Sequence, residues 1–422
     1  MKLNKRQRRS PEKREPREHD VAAIFLRWTF IRAVFHRGYV LVALLYFVVD
    51  AHLSASQLTL LATAMSITQG FANIPAGAWA DAIGRRWPLA IGHLFLAGGM
   101  IMTGLVVAFP LIVVTQILWG LGWAFSEGAD VAWLTDELDR PDRIDLVLTT
   151  RARLDLLGAA IGMVAFGVLA SVAGFTTALV VSGAGIAALG LYVTAQFDER
   201  NFTPVRERGW DVSLSIWRRG LVLAFRDHEI LLVFVATMII NAAAIAGWLF
   251  LKQLVNLGVP NEPVLWWTAI ELLSFASGAV VLRFVEPRIN RVGAARRIYA
   301  LACLIGVLGM AVVAYASDAL IAAIGILLVS GIAFNVTRPV SVVWVNRRTT
   351  SEVRATVHSC LSQAESIGEI FGGFALTVLA ESGGVFVALV TSGALIGLAG
   401  IAVALSSADR APTMVLDSEQ SD

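Results

Sequence analysis

The chain has 422 residues, of which 57% are hydrophobic and 16% charged, with a formal net charge of +2 and a mean hydropathy of +0.70. Soluble domains carry about a quarter charged residues, so composition excludes an ordinary soluble enzyme or binding domain. A disulfide scaffold is excluded too: the two cysteines, Cys303 and Cys360, lie inside apolar runs and pack as small hydrophobes. This is the composition of a polytopic membrane protein whose spans are about 20 residues each.

Residues 1–28 form a basic tail. Its first twenty positions hold eight basic and four acidic side chains and no apolar run. Such a segment stays solvated and attracts anionic headgroups. Without interleaved aromatics it does not read as a nucleic-acid arm. With no short apolar core and no small-residue cleavage site, it does not read as a signal peptide.

Apolar runs long enough to cross about 30 Å of hydrocarbon predict twelve spans. They fall near 32–52, 57–80, 88–109, 111–131, 155–173, 176–197, 229–251, 263–284, 297–316, 319–337, 357–380 and 384–406. With the N-terminus placed in the cytoplasm, every Lys and Arg except Lys252 falls on the cytoplasmic side or just inside a span end. The positive-inside bias therefore predicts that both termini are cytoplasmic. Arg outnumbers Lys by 30 to 4, as in proteins of GC-rich bacteria, so a bacterial cytoplasmic membrane is expected.

The longest inner loop, 198–228, divides six spans from six. The expected organisation is an N-terminal bundle (29–197), a linker loop (198–228), a C-terminal bundle (229–406) and a cytoplasmic tail (407–422). An internal repeat supports the division. Gly84 and Gly293, each close to a pair of arginines, are 209 positions apart; Gly158 and Gly368, like Gly162 and Gly372, are 210 apart. Near-constant offsets point to two related halves, the parallel repeat used by secondary transporters.

The stretch Gly77-Ala-Trp-Ala-Asp81-Ala-Ile-Gly84-Arg85-Arg86-Trp-Pro-Leu89 resembles the loop between the second and third helices of the major facilitator superfamily. It keeps both glycines, the aspartate, both arginines and the leucine, and departs at Trp79 and Ala82. The resemblance covers about residues 30–406. It implies an all-α membrane protein of twelve transmembrane helices in two pseudo-symmetric six-helix bundles. It also implies a cytoplasmic gate of Gly77, Asp81, Gly84, Arg85, Arg86 and Asp136. There Gly77 permits close helix approach and Gly84 a tight turn. Asp81 would face the N-terminal end of the eleventh helix near Thr356, and Arg85 would pair with Asp136. Gly120 to Leu138 and the run from Arg338 through Arg348 to Thr356 resemble drug-efflux branches. The antiporter motif of the fifth helix survives only as Gly158, Gly162 and Gly167, without its proline.

Spans 3, 6, 9 and 12 carry no Asp, Glu, Lys or Arg in their interiors; in the family these helices face lipid. Interior acids fall instead on spans 4, 8 and 11. Intramembrane acids are costly and usually face a cavity, and low dielectric favours the protonated carboxyl. Glu271 and Glu369 are the main proton-coupling candidates, with Glu365, Glu127 and Asp130 beside them. Glu127 and Asp130, three residues apart, are expected on one helix face and can equally serve as gate residues. Each acid can also be a static partner for an Arg or a helix end. Gln69, Asn73 and Asn241 are substrate-cavity candidates, or else interhelical hydrogen-bond partners. His93 reads as a packing residue, and Trp248, Trp266 and Trp267 as an outer interfacial belt.

No nucleophile elbow, zinc motif or P-loop is present, and no Cys or His set has metal-ligand spacing. The expected function is proton-coupled efflux of amphipathic organic molecules through an apolar cavity. An importer or uniporter of a small solute and a non-transporting receptor-like protein are the alternatives. No cofactor or metal is expected; the proton gradient is the driving force. The expected partners are a small-molecule substrate, protons and the lipid bilayer, with no nucleic acid, for a chain acting as a monomer.

Overall fold

The computed structural model describes residues 15–138, 141–202, 227–259, 263–289, 293–349 and 351–405. Residues 1–14, most of the 198–228 linker and the tail after Leu405 lie outside the described residues. The described secondary structure is helical throughout. A helix closes its backbone hydrogen bonds within itself, which is what a chain crossing hydrocarbon requires.

The first group of helices is α1 (Glu15–Leu45, running on through a π turn, Tyr46–Asp50), α2 (Ala55–Ile83), α3 (Arg86–Leu105), α4 (Phe109–Ser126), α5 (Ala129–Leu138), α6 (Pro141–Ala173) and α7 (Phe175–Gln196). The second group opens with α8 (His228–Ala244), which passes through a 3₁₀ turn (Ile245–Leu249) into α9 (Phe250–Asn256). Then come α10 (Pro263–Ile289), α11 (Ala294–Tyr315) and α12 (Ala319–Ile326), a π segment (Leu327–Ala333), α13 (Phe334–Arg348) and α14 (Ser351–Leu405).

Local sequence accounts for where these helices start and stop. Ser54 and Gln57 form a reciprocal capping box on α2. Asp227 caps α8 by accepting from the Glu229 and Ile230 amides at 2.9 and 3.3 Å. Asp318 does the same for α12 through Leu320 and Ile321.

Ten helical segments among the described residues are long and apolar enough to cross a membrane. The sequence reading differs at two places. α2 is 29 residues long but falls outside the ten, because Thr59, Thr63, Ser66, Gln69 and Asn73 dilute its apolar content. The expected spans 357–380 and 384–406 lie in the single element α14, bent at Gly384, whose φ of 68° is non-helical.

Two glycine-mediated crossings repeat. A Cβ on Gly158 would lie 2.7 Å from the Phe30 carbonyl oxygen, and one on Gly162 would lie 2.2 Å from that of Val34, so α6 rests directly on α1. On α14, Gly368 and Gly372 meet the Met238 and Ala242 backbone of α8 at 2.2 and 2.3 Å. Close approach through small residues is how helices associate where no hydrophobic force separates them from lipid. The second interior is sealed by Tyr299, Leu249, Phe250 and Trp344; the first by Trp28, Trp133, Phe47 and Phe197.

The lipid-facing expectation for the uncharged spans has a counterpart here. Leu94, Leu191, Leu301, Leu304, Leu398 and Ile401, on α3, α7, α11 and the last part of α14, are all exposed. Trp267 differs from its expected place in an interfacial belt: it is buried. Trp248 stacks on Phe47 across the two groups of helices, with ring centroids 6.5 Å apart.

Candidate functional site

Three polar regions lie along the helices, and each is built from the turn or crossing beneath it. The first is the α2–α3 turn. Gly84 takes φ 110°, leaving room for the Glu199 carboxylate, which accepts from the Arg86 amide at 2.9 Å and from the Arg85 amide. The Arg85 guanidinium bonds Asp81 one helical turn back and lies 3.6 Å from Asp136. Arg86 reaches the Thr194 carbonyl. Glu199, just beyond α7, was not singled out from sequence; no local pattern marks an acid more than a hundred residues away. Gly77 differs from expectation: it is exposed, with nothing within 4 Å of where a Cβ would stand. It is not a point of close helix approach.

The second region runs along the crossing of α2 with α14, where three hydrogen bonds join the two groups of helices. The Ser66 hydroxyl donates to Glu369 at 2.8 Å. Thr377 donates to Thr59 at 3.0 Å, and Ser56 donates to Glu381. Gly373 makes the approach possible, since a Cβ there would collide with the Thr63 side chain. Glu365, one turn from Glu369, is held by Arg338 at 2.9 Å. Gln69 and Asn73 point their amides at Glu127, at 3.2 and 3.4 Å. Asn241 instead bonds the Thr237 carbonyl of its own helix at 2.9 Å.

The third region lies inside the first group of helices. Glu127 and Asp130 are not on one face as expected, because Gly128, at φ 81°, ends α4 and lets α5 begin in a new direction. Glu127 faces α2, while Asp130 is buried against Arg151 of α6 and lies 3.9 Å from Arg32 of α1. Arg32 also covers the rings of Trp28 and Trp123, at 4.8 and 5.4 Å. His36 stacks with Trp119 and lies tilted against Trp123, and the two indoles themselves stack at 5.5 Å and 8°. A cavity of about 470 Å³ opens here, lined by Arg32, His36, Arg37, Trp123, Arg151 and Asp155 among others. The sequence reading expected apolar cavity walls and counted Arg32 and Arg37 at the cytoplasmic edge. Arg37 is thirteen residues, or about 20 Å, from the Asp50 end of the span Val21–Asp50, which leaves it about 10 Å from the other face of a hydrocarbon layer about 30 Å thick. Glu271 on α10 lies within reach of the Arg37 charge from the other group of helices.

His93 is satisfied on both ring nitrogens, by Trp28 at 3.1 Å and the Leu89 carbonyl at 2.7 Å, as befits a packing residue. Among the described residues, no group of three or more His, Cys, Asp or Glu could hold a metal ion.

The sequence profile of the Major Facilitator Superfamily matches residues 29–373, most of the chain. The chain belongs to the Major Facilitator Superfamily. It is thus an integral, multi-pass membrane protein of a family that transports small solutes. No curated protein matches it by sequence. Solved structures with the superfamily fold resemble it closely at low identity. The nucleoside transporter NupG aligns with a TM-score of 0.74 at 14% identity, over 92% of this chain and 100% of that one. A bacterial homolog of the human lysosomal transporter Spinster, inward-facing and unoccupied, aligns at 0.68 and 13%, over 93% and 97%. The peptide transporter POT in complex with sulfate aligns at 0.70 and 14%, over 91% and 93%.

Proposed function

We propose that this superfamily member is a proton-coupled secondary transporter that moves a small organic solute outward by alternating access. In this reading α2 and the two limbs of α14 each count separately. That makes twelve helices in two six-helix bundles, 29–197 and 229–406, which rock about the shared site. The repeated glycine crossings, α6 on α1 and α14 on α8, support the pseudo-symmetry. Both termini lie in the cytoplasm of a bacterial cell, the chain works as a monomer, and the proton gradient is its only driving force. The gate of Asp81, Gly84, Arg85, Arg86 and Asp136 holds the cytoplasmic side together when that side is shut.

The observation that carries the proposal is the Ser66–Glu369 hydrogen bond. It places an acid in the seam between the two groups of helices, where they must separate if access alternates. Protonating Glu369 exchanges a charge-assisted bond for a neutral one and weakens it, so proton binding and seam opening become linked. Glu271, facing Arg37 from the other group, is the second coupling site, and Glu365, Glu127 and Asp130 tune the field around them. Gln69, Asn73 and Asn241 lie along the substrate route.

The test is proton movement in proteoliposomes, followed with a pH-sensitive dye while organic solutes are added. Solute-induced proton flux that disappears in Glu369→Gln supports the proposal. Solute flux that is unaffected by Glu369→Gln, Glu271→Gln and an imposed pH gradient would make the protein a uniporter. The absence of the Gly-Pro pair beside Gly158, Gly162 and Gly167 favours a second reading, import with the proton. Dye acidification on the side that receives solute would identify it.

A further inference from the structure

The cavity between α1, α4 and α6 has a chemistry that neither family membership nor proton coupling supplies. Three guanidinium groups, Arg32, Arg37 and Arg151, line it against one carboxylate, Asp155. Asp130 compensates Arg151 and, at 3.9 Å, part of Arg32. Arg37 is different. It is exposed and makes no hydrogen bond or ion pair with a described residue, although it lies within the apolar span Val21–Asp50. Glu271 of α10 feels its charge, but no described group bonds it directly, which leaves its donors open to a ligand. Beside it, His36 Nε2 is buried and has no hydrogen-bond partner. Buried polar atoms are nearly always satisfied, so an unpaired one is uncommon.

The rest of the wall is aromatic. Trp123 lines the cavity and is backed by Trp119 in a near-parallel stack. His36 lies against both at ring-centroid distances of 5.1 and 5.5 Å. A volume of about 470 Å³ falls among those that hold small organic ligands. Guanidinium groups bind carboxylates bidentately, whereas the same three groups repel an organic cation.

We propose that this cavity binds a small aromatic carboxylic acid, its carboxylate on Arg37 and its ring on the Trp123 indole. This rests on the transporter reading, since the bound acid is taken to be the transported solute, and it narrows the amphipathic class expected from sequence to anions.

Binding is measured by calorimetry on the full chain in detergent, without any gradient, using 2-naphthoate, 2-naphthylmethylamine and inorganic phosphate. The expected result is that naphthoate binds while the amine does not. Arg37→Gln should weaken naphthoate at least tenfold, and Arg37→Lys should weaken it less. Arg37→Lys keeps the charge that Glu271 feels and should melt as the parent does, so it is the folding control. The proposal is overturned if naphthoate fails to bind, if the amine binds better, if phosphate displaces naphthoate at equal concentration, or if Arg37→Gln leaves its affinity within twofold. Failure of the transporter reading has a separate signature: naphthoate binds and depends on Arg37, yet no solute crosses proteoliposome membranes.

Discussion

At the scale of single residues, the contrast between Asp130 and Glu369 is the informative one. Asp130 is 3% exposed and faces Arg151 and Arg32. Removing one partner of a buried ion pair costs about 3–5 kcal/mol, because the other charge is left stranded. Asp130→Asn should therefore lower the thermal midpoint in detergent markedly, and Asp130→Asn with Arg151→Gln should recover part of the loss. Glu369→Gln keeps an oxygen that can still accept from Ser66, so it should leave the midpoint nearly unchanged while abolishing the pH response. Glycines separate in the same way. Gly162→Ala and Gly368→Ala push a Cβ into the carbonyls of Val34 and Met238, each at 2.2 Å. Overpacking of that kind costs about 1–3 kcal/mol. Gly77→Ala meets open space and should be stable; any effect it has on flux then concerns motion rather than packing.

At the scale of elements, the sequence made the long apolar helices and the basic α2–α3 turn legible. Hydropathy needs only a window, and the Gly77 to Leu89 pattern is local. The Arg85–Asp136 approach joins distant residues and was legible only through the family resemblance, while the packing role of His93 was legible from the lack of any ligand cluster around it in the sequence. What stayed illegible depended on backbone direction or on distant chain. The positive φ of Gly128 sends Glu127 and Asp130 to different neighbours, although their spacing suits one helix face. Glu199 completes the α2–α3 turn from beyond α7, with no sequence mark. Arg32 and Arg37 count in the sequence only as cytoplasmic-side charge, and no local pattern shows that they line a cavity with His36. Gly84→Ala tests the turn directly. Its φ of 110° and the Glu199 oxygen 2.3 Å from the added Cβ both oppose a side chain. The variant should lose about 1–2 kcal/mol of stability, and Glu199→Ala in the same chain should relieve only the steric part.

At the scale of the molecule, the two groups of helices meet along α2 and α14 through small and hydroxyl side chains: Ser56, Thr59, Thr63, Ser66, Gly373 and Thr377. Bonds of this sort are modest, about 0.6 kcal/mol on average inside membranes, so the seam can open at little cost. The Phe47–Trp248 stack, which also bridges the two groups, must part with them. Alternating access requires this crossing to part in every cycle, and Thr59 and Thr377, whose hydroxyls are 3.0 Å apart, mark where it can be held shut. Cysteines at both positions should form a disulfide under mild oxidation, while Cys303 and Cys360 stay buried and free. The decisive measurement is solute flux in proteoliposomes carrying Thr59→Cys with Thr377→Cys, before and after reduction. We predict that the oxidised protein transports nothing and that a reductant restores flux to the level of the single variants. Equal flux in the cross-linked and reduced protein would show that the seam never opens, and the alternating-access account would be wrong.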